Sequence, residues 1–146
     1  MDRRVAAVLV VAVCAACAGP VQGVQGRLVG IDDTGLSDHA IEEGWVAALP
    51  GVTAADLWPD LPDGELRYAA GRLEAGDVTA AGGVVAPVGG GGRFSLDVPA
   101  GPTLVCWARG TVDELSTSGC GELDLPEDGR VRATFGEGGF SVSVVD

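Results

Sequence analysis

The chain has 146 residues, with 21 acids against nine arginines, no lysine, one histidine and a formal charge of −12. That balance disfavours nucleic acid and anionic lipid head groups as partners, because both repel a body of the same sign. The length admits one ordinary domain and no second sizeable core.

The chain opens on Arg3 and Arg4, followed by an apolar run rich in alanine and valine over residues 5–17. The run ends in Ala15-Ala16-Cys17-Ala18-Gly19. A short positive segment, a short apolar segment and small residues at the exit are the anatomy of an export signal. The run is too short to cross a bilayer, which takes about 20 apolar residues. The segment around Cys17 resembles the lipobox of bacterial lipoproteins. That resemblance implies removal of residues 1–16, a lipid on the Cys17 thiol, and a protein held by it at the outer face of the cytoplasmic membrane. The match departs from the pattern at Cys14, where leucine is favoured. Ordinary cleavage near Ala16 or Ala18, without lipid, is the alternative. Twin-arginine export fits poorly, because Val5-Ala6-Ala7 follows the arginine pair.

From Cys17 onward, 130 residues carry 20 acids and seven arginines, a formal charge of −13. Residues 17–25 are small, polar and glycine-spaced, and read as the modified terminus and a tether. The body, residues 26–146, then alternates β-branched runs with glycine and proline turns. Strands are expected over 26–31, 44–49, 84–88, 94–98, 103–108, 122–125, 130–135 and 140–145. Phe94, Leu96 and Val98 share one face. Val131, Ala133 and Phe135 oppose Arg130, Arg132 and Thr134. Phe140, Val142 and Val144 oppose Ser141 and Ser143. Repeated period-2 runs between turns predict an all-β fold, an antiparallel sandwich of seven to eight strands.

Residues 50–83 break the rhythm. Leu66, Ala69, Ala70 and Leu73 recur at helical spacing, with Asp63 as cap and Gly76 as stop, so this stretch is expected to be a partly helical insertion. It is longer than a connection needs to be, which marks it as a place for partner contact. Trp58 and Tyr68 lie in it and are the candidate ligand-binding residues. The opposing expectation is that Leu57, Trp58, Leu61 and Leu66 bury one another and cover a sheet edge.

Cys106 and Cys120 are an even pair in an exported domain, so a disulfide between them is expected. Two thiols and one histidine fall short of a structural zinc site. EF-hand spacing also fails, since the twelfth position from Asp124 is Phe135.

In order, these pieces resemble carboxypeptidase regulatory-like domains of the transthyretin (prealbumin-like) sandwich class. The likeness rests on Gly26-Arg27-Leu28-Val29-Gly30, on Gly44-Trp45-Val46-Ala47, and above all on Gly92-Arg93-Phe94-Ser95-Leu96 running into Pro99-Ala100-Gly101. The insertion, the quadruple glycine at 89–92 and the tail from 106 to 146 depart from that family. The resemblance implies a non-catalytic structural or interaction module and carries no binding residue with it.

Nothing in the sequence marks a catalytic residue, a cofactor or a metal. His39 is expected in a polar loop, and Ser37 and Asp38 beside it do not make a triad by adjacency. The carboxylate pairs Asp32/Asp33, Glu42/Glu43 and Asp113/Glu114 read as loop or strand-end charge rather than glycosidase machinery. The glycines at 89–92 open no helix and are not a P-loop. Three functions follow in order. The first is a lipid-anchored scaffold or interaction module with an envelope-protein partner. The second is a carbohydrate- or cell-wall-binding module using Trp58 and nearby acids, and the last a small hydrolase using His39 or a carboxylate pair.

Overall fold

A computed structural model describes residues 23–35, 38–68 and 70–146. The leader, Cys17 and most of the tether lie outside them, as do Ser37 and Ala69. Ten strands form two five-stranded sheets that pack as a β-sandwich. They are β1 (Val24–Ile31), β2 (Asp38–Ala40), β3 (Trp45–Pro50), β4 (Arg72–Glu74), β5 (Val84–Pro87), β6 (Arg93–Leu96), β7 (Gly101–Gly110), β8 (Glu114–Leu125), β9 (Gly129–Gly136) and β10 (Gly139–Val145). Two short helices, α1 (Ala54–Leu57) and α2 (Ala75–Ala80), lie in the insertion.

The all-β expectation holds, with more strands than the seven to eight foreseen. The first sheet runs β10-β9-β1-β2, with β6 also pairing to β1. One side of β1 is shared: β6 takes its first half and β2 its second. The other side pairs with β9 in parallel, whereas every other pairing is antiparallel. The second sheet runs β4-β8-β7-β3-β5. β1 begins at Val24, already buried, so the last two residues of the expected tether are strand.

The alternating residues build the core between the sheets. Leu28, Phe94, Leu96, Val131, Ala133 and Phe140 come from the first sheet, and Val46, Ala48, Val105 and Trp107 from the second. A second core occupies the opposite face of the second sheet, where Ala47, Leu49, Leu104, Cys106 and Cys120 meet Leu73 and Val78 of the insertion. A sheet covered on both faces reads as a continuous apolar run, and Val46-Ala47-Ala48-Leu49 is fully buried for that reason.

The insertion departs from the expected helix over its Leu66–Leu73 stretch. Leu66 lies in a 3-10 turn (Glu65–Arg67), while Leu73 lies in β4, opposite Leu115 of β8. Gly71 shows why. An added Cβ there would stand 2.6 Å from Trp58 Nε1, so the indole packs directly on the glycine backbone. Thr117 holds the same residue: its hydroxyl accepts the Gly71 N–H at 2.9 Å and donates to the Gly71 carbonyl at 2.7 Å. Its own N–H donates to that carbonyl as well, at 3.0 Å. Glycine costs a helix about 1 kcal/mol relative to alanine, and a sheet edge offers the extended chain a partner for its backbone. The helix forms one step later, as α2. Gly76 lies inside it rather than stopping it; the stop is Gly82, at φ +71°. The Gly82 and Gly83 N–H groups close a Schellman turn onto the Thr79 and Val78 carbonyls.

β8 is twelve residues long where only 122–125 was expected. Gly119 and Gly121, outside the expected strands, are demanded by packing. A Cβ on Gly119 would meet Phe140 Cβ at 2.4 Å, and one on Gly121 would meet Val142 Cγ1 at 3.1 Å. The two sheets thus close tightly at this corner.

α1 opens on a capping box. The Asp56 carboxylate accepts the Thr53 N–H at 2.8 Å and the Thr53 hydroxyl at 3.0 Å. The backbone bond foremost, then the hydroxyl, holds the Asp56 carboxyl below its ordinary value against a small opposing effect of desolvation. A depressed carboxyl stabilises the fold above its unfolded pKa and loses that contribution as pH falls through the folded value. Asp56→Asn is therefore expected to flatten the acid side of the stability profile, below about pH 4. Thermal melts of both proteins across that range test this. Parallel acid limbs would show that the cap contributes nothing.

Candidate functional site

Cys106 and Cys120 face each other across β7 and β8, with sulfurs 2.07 Å apart, a disulfide distance. Both are buried in the second core, so the pair ties two central strands under the insertion.

Trp58 is half-buried against that core, and its N–H closes α1 on the Ala54 carbonyl at 2.8 Å. Its ring lies on Gly71. Tyr68 is 43 % exposed, and its hydroxyl donates at 3.3 Å to the Glu137 carbonyl, in the turn between β9 and β10. The two aromatics therefore reach toward different sheets. Trp58 fastens the insertion to the second sheet, and Tyr68 ties it to the edge of the first. Neither lines the cleft that the structure forms around His39.

That cleft, about 320 Å³, opens between the sheets at the end where β1 and β9 finish. His39 is in strand β2 rather than the polar loop expected, opposite Gly30 of β1. Gly30 is required there, because a Cβ would stand 2.3 Å from the imidazole. Trp107 and Phe135 form the floor, with ring centroids 5.0 Å apart in an edge-to-face contact. The Trp107 indole donates to the Glu43 carbonyl at 3.1 Å. Arg109 lies over the Trp107 ring, 4.8 Å from its centroid, and 3.7 Å from the Glu43 carboxylate. Asp33 and Glu137 complete the charged rim.

The cleft thus joins one imidazole, one guanidinium and three carboxylates above an aromatic floor. Among the described residues, its lining holds no serine, threonine or cysteine. Among the described residues no group of three or more His, Cys, Asp or Glu side chains is placed to hold a metal ion. The acid pairs are engaged locally. Asp32 accepts the Thr34 N–H and hydroxyl, Glu42 accepts the Gly91 N–H at 2.6 Å, and Glu114 pairs with Arg72 at 2.6 Å.

Reading the sequence alone missed the Trp107–Arg109–Glu43 corner, because Trp107 reads only as core. It also missed how the outer arginines of β9 align with those of β1 and β6, since that depends on pairings between distant strands. Comparison of the chain with protein-family models, curated proteins and solved structures finds no match.

Proposed function

We propose that this protein is a lipid-anchored, extracytoplasmic β-sandwich that works as a non-catalytic scaffold or interaction module, in the manner of the carboxypeptidase regulatory-like domains it resembles. One observation supports the scaffold part above the others. The second sheet is buried on both faces, with the insertion laid over its outer side and the cysteine pair beneath. Such a body holds its exposed surfaces in fixed relation, which a docking module needs. The insertion directs Leu57, Trp58 and Leu66 onto the second core. Its role in this reading is to complete the body, and partner contact falls to the polar surfaces that remain. Glycan binding is the second reading, and the surface described below favours it over Trp58.

The anchor rests on Ala15-Ala16-Cys17 behind the apolar run. In envelope fractionation the wild-type protein is expected in the membrane fraction, resistant to salt and released by detergent. Cys17→Ser is expected in the medium or unprocessed. Two or more acyl chains hold firmly where one is marginal. Mass spectrometry that finds an unmodified mature terminus at another residue would overturn the anchor.

A further inference from the structure

The outer face of the first sheet carries charge of the opposite sign to the rest of the molecule. Arg27 of β1 lies opposite Arg93 of β6 on one side and Arg132 of β9 on the other. These three stand in a row across adjacent strands, with backbones about 4.8 Å apart. Arg130, on the same face of β9, lies opposite Gln25. All four arginines are exposed. They are four of the seven in the chain beyond the leader.

The surrounding positions are hydroxyl or amide, with Gln25 donating to Ser95 at 2.9 Å. Asp38, on this face, is paired with Arg132, and Asp97 follows Ser95 at its exposed end. Among the described residues Arg93 and Arg130 have no ion-pair partner. Like charges set directly opposite on a sheet cost stability. Arg132 has its acid and Arg27 donates to the Gly91 carbonyl at 3.1 Å, whereas Arg93 and Arg130 keep their charge open to solvent.

We infer that this face binds a linear acidic glycan, with its anionic groups seated along the arginine row and its hydroxyls on Gln25 and Ser95. The choice of a glycan rests on the envelope location proposed above. The surface favours it over the rivals. A protein partner wants an apolar or aromatic centre, and the exposed large apolar side chain on this face is Val145, at its border. A flat anionic bilayer would also meet the exposed Glu127 and Asp128 in the turn before Arg130. A thin polymer crosses the middle of the face and avoids them.

The test is a titration of the full chain, solubilised in nonionic detergent, with polygalacturonate as the probe. Neutral dextran, phosphatidylglycerol vesicles and a single-stranded oligonucleotide are the comparison arms. Polygalacturonate is expected to bind, more weakly as salt rises, and dextran is not. Arg93→Gln with Arg130→Gln is expected to weaken binding by about tenfold, from lost charge-assisted hydrogen bonds. Neither arginine has an ion pair to lose, so the fold is not at stake. Arg67→Gln with Arg72→Gln removes equal charge elsewhere and is expected to leave affinity within about twofold. Absence of polygalacturonate binding, equal losses in both double variants, or preference for vesicles or oligonucleotide would overturn the inference. An unlipidated Cys17 would overturn the anchor and leave this titration untouched.

Discussion

Trp107→Ala is expected to cost about 3–5 kcal/mol, enough to leave much of the domain unfolded. Trp107 is 1 % exposed and sits where the core between the sheets meets the cleft. Its loss removes the edge contact with Phe135, frees the Glu43 carbonyl from its hydrogen bond, and leaves Arg109 without a ring to lie on. The surroundings cannot collapse easily into the space. Gly44, at φ +86°, is already pressed against the indole, where a Cβ would stand 2.8 Å from Nε1. Trp58→Ala removes a half-buried ring from the edge of the second core, and about 1–2 kcal/mol is expected from the smaller apolar area returned to water. Urea unfolding of both variants checks the pair. A Trp58→Ala loss as large as that of Trp107→Ala would show that the insertion is as central to the fold as the sandwich itself.

Removing the cysteine pair is the second large effect. Cys106→Ala with Cys120→Ala is expected to lower stability by about 3 kcal/mol, from the closed loop alone in the chain-entropy account. The two residues are 14 apart in sequence and directly opposed in the sheet, so the bond pins register as well as proximity. Thiol labelling of the full chain, denatured but unreduced, should leave both side chains unreacted. Reactive Cys106 and Cys120 thiols under those conditions would refute the bond.

Much of the sandwich was legible because its strands are half-buried and say so. Phe94 and Leu96, or Val131 and Ala133, alternate with polar neighbours, and the turns between them are marked by glycine and proline. The second core was not legible in the same way. Leu66, Ala70 and Leu73 have helical spacing, but their packing is set by Gly71 lying beneath Trp58 and by Thr117 reaching from a distant strand. Likewise Gly119 and Gly121 fall outside every expected strand, and their need for glycine shows only with Phe140 and Val142 pressing on them. His39 was visible as a residue type, but its place opposite Gly30 required the pairing of β1 with β2. The arginine row was the least visible feature. Arg130 and Arg132 show as one polar face, yet their alignment with Arg27 and Arg93 exists only once three separate strands lie side by side. Net charge argues against nucleic acid and anionic lipid as partners of the whole body, but a sum over the chain carries no information about where the charges sit.

The pairing of β1 with β9 also sets an order on folding. Val24 lies beside Gly129, and Gly30 beside Phe135. One side of the first strand can pair early with β2 and β6, but the other waits for nearly the last strand, and such distant contacts close slowly. The second sheet has no such delay, since β7 and β8 are joined by a short connection. A chain built this way leaves one side of its leading strand open until its final strands have formed.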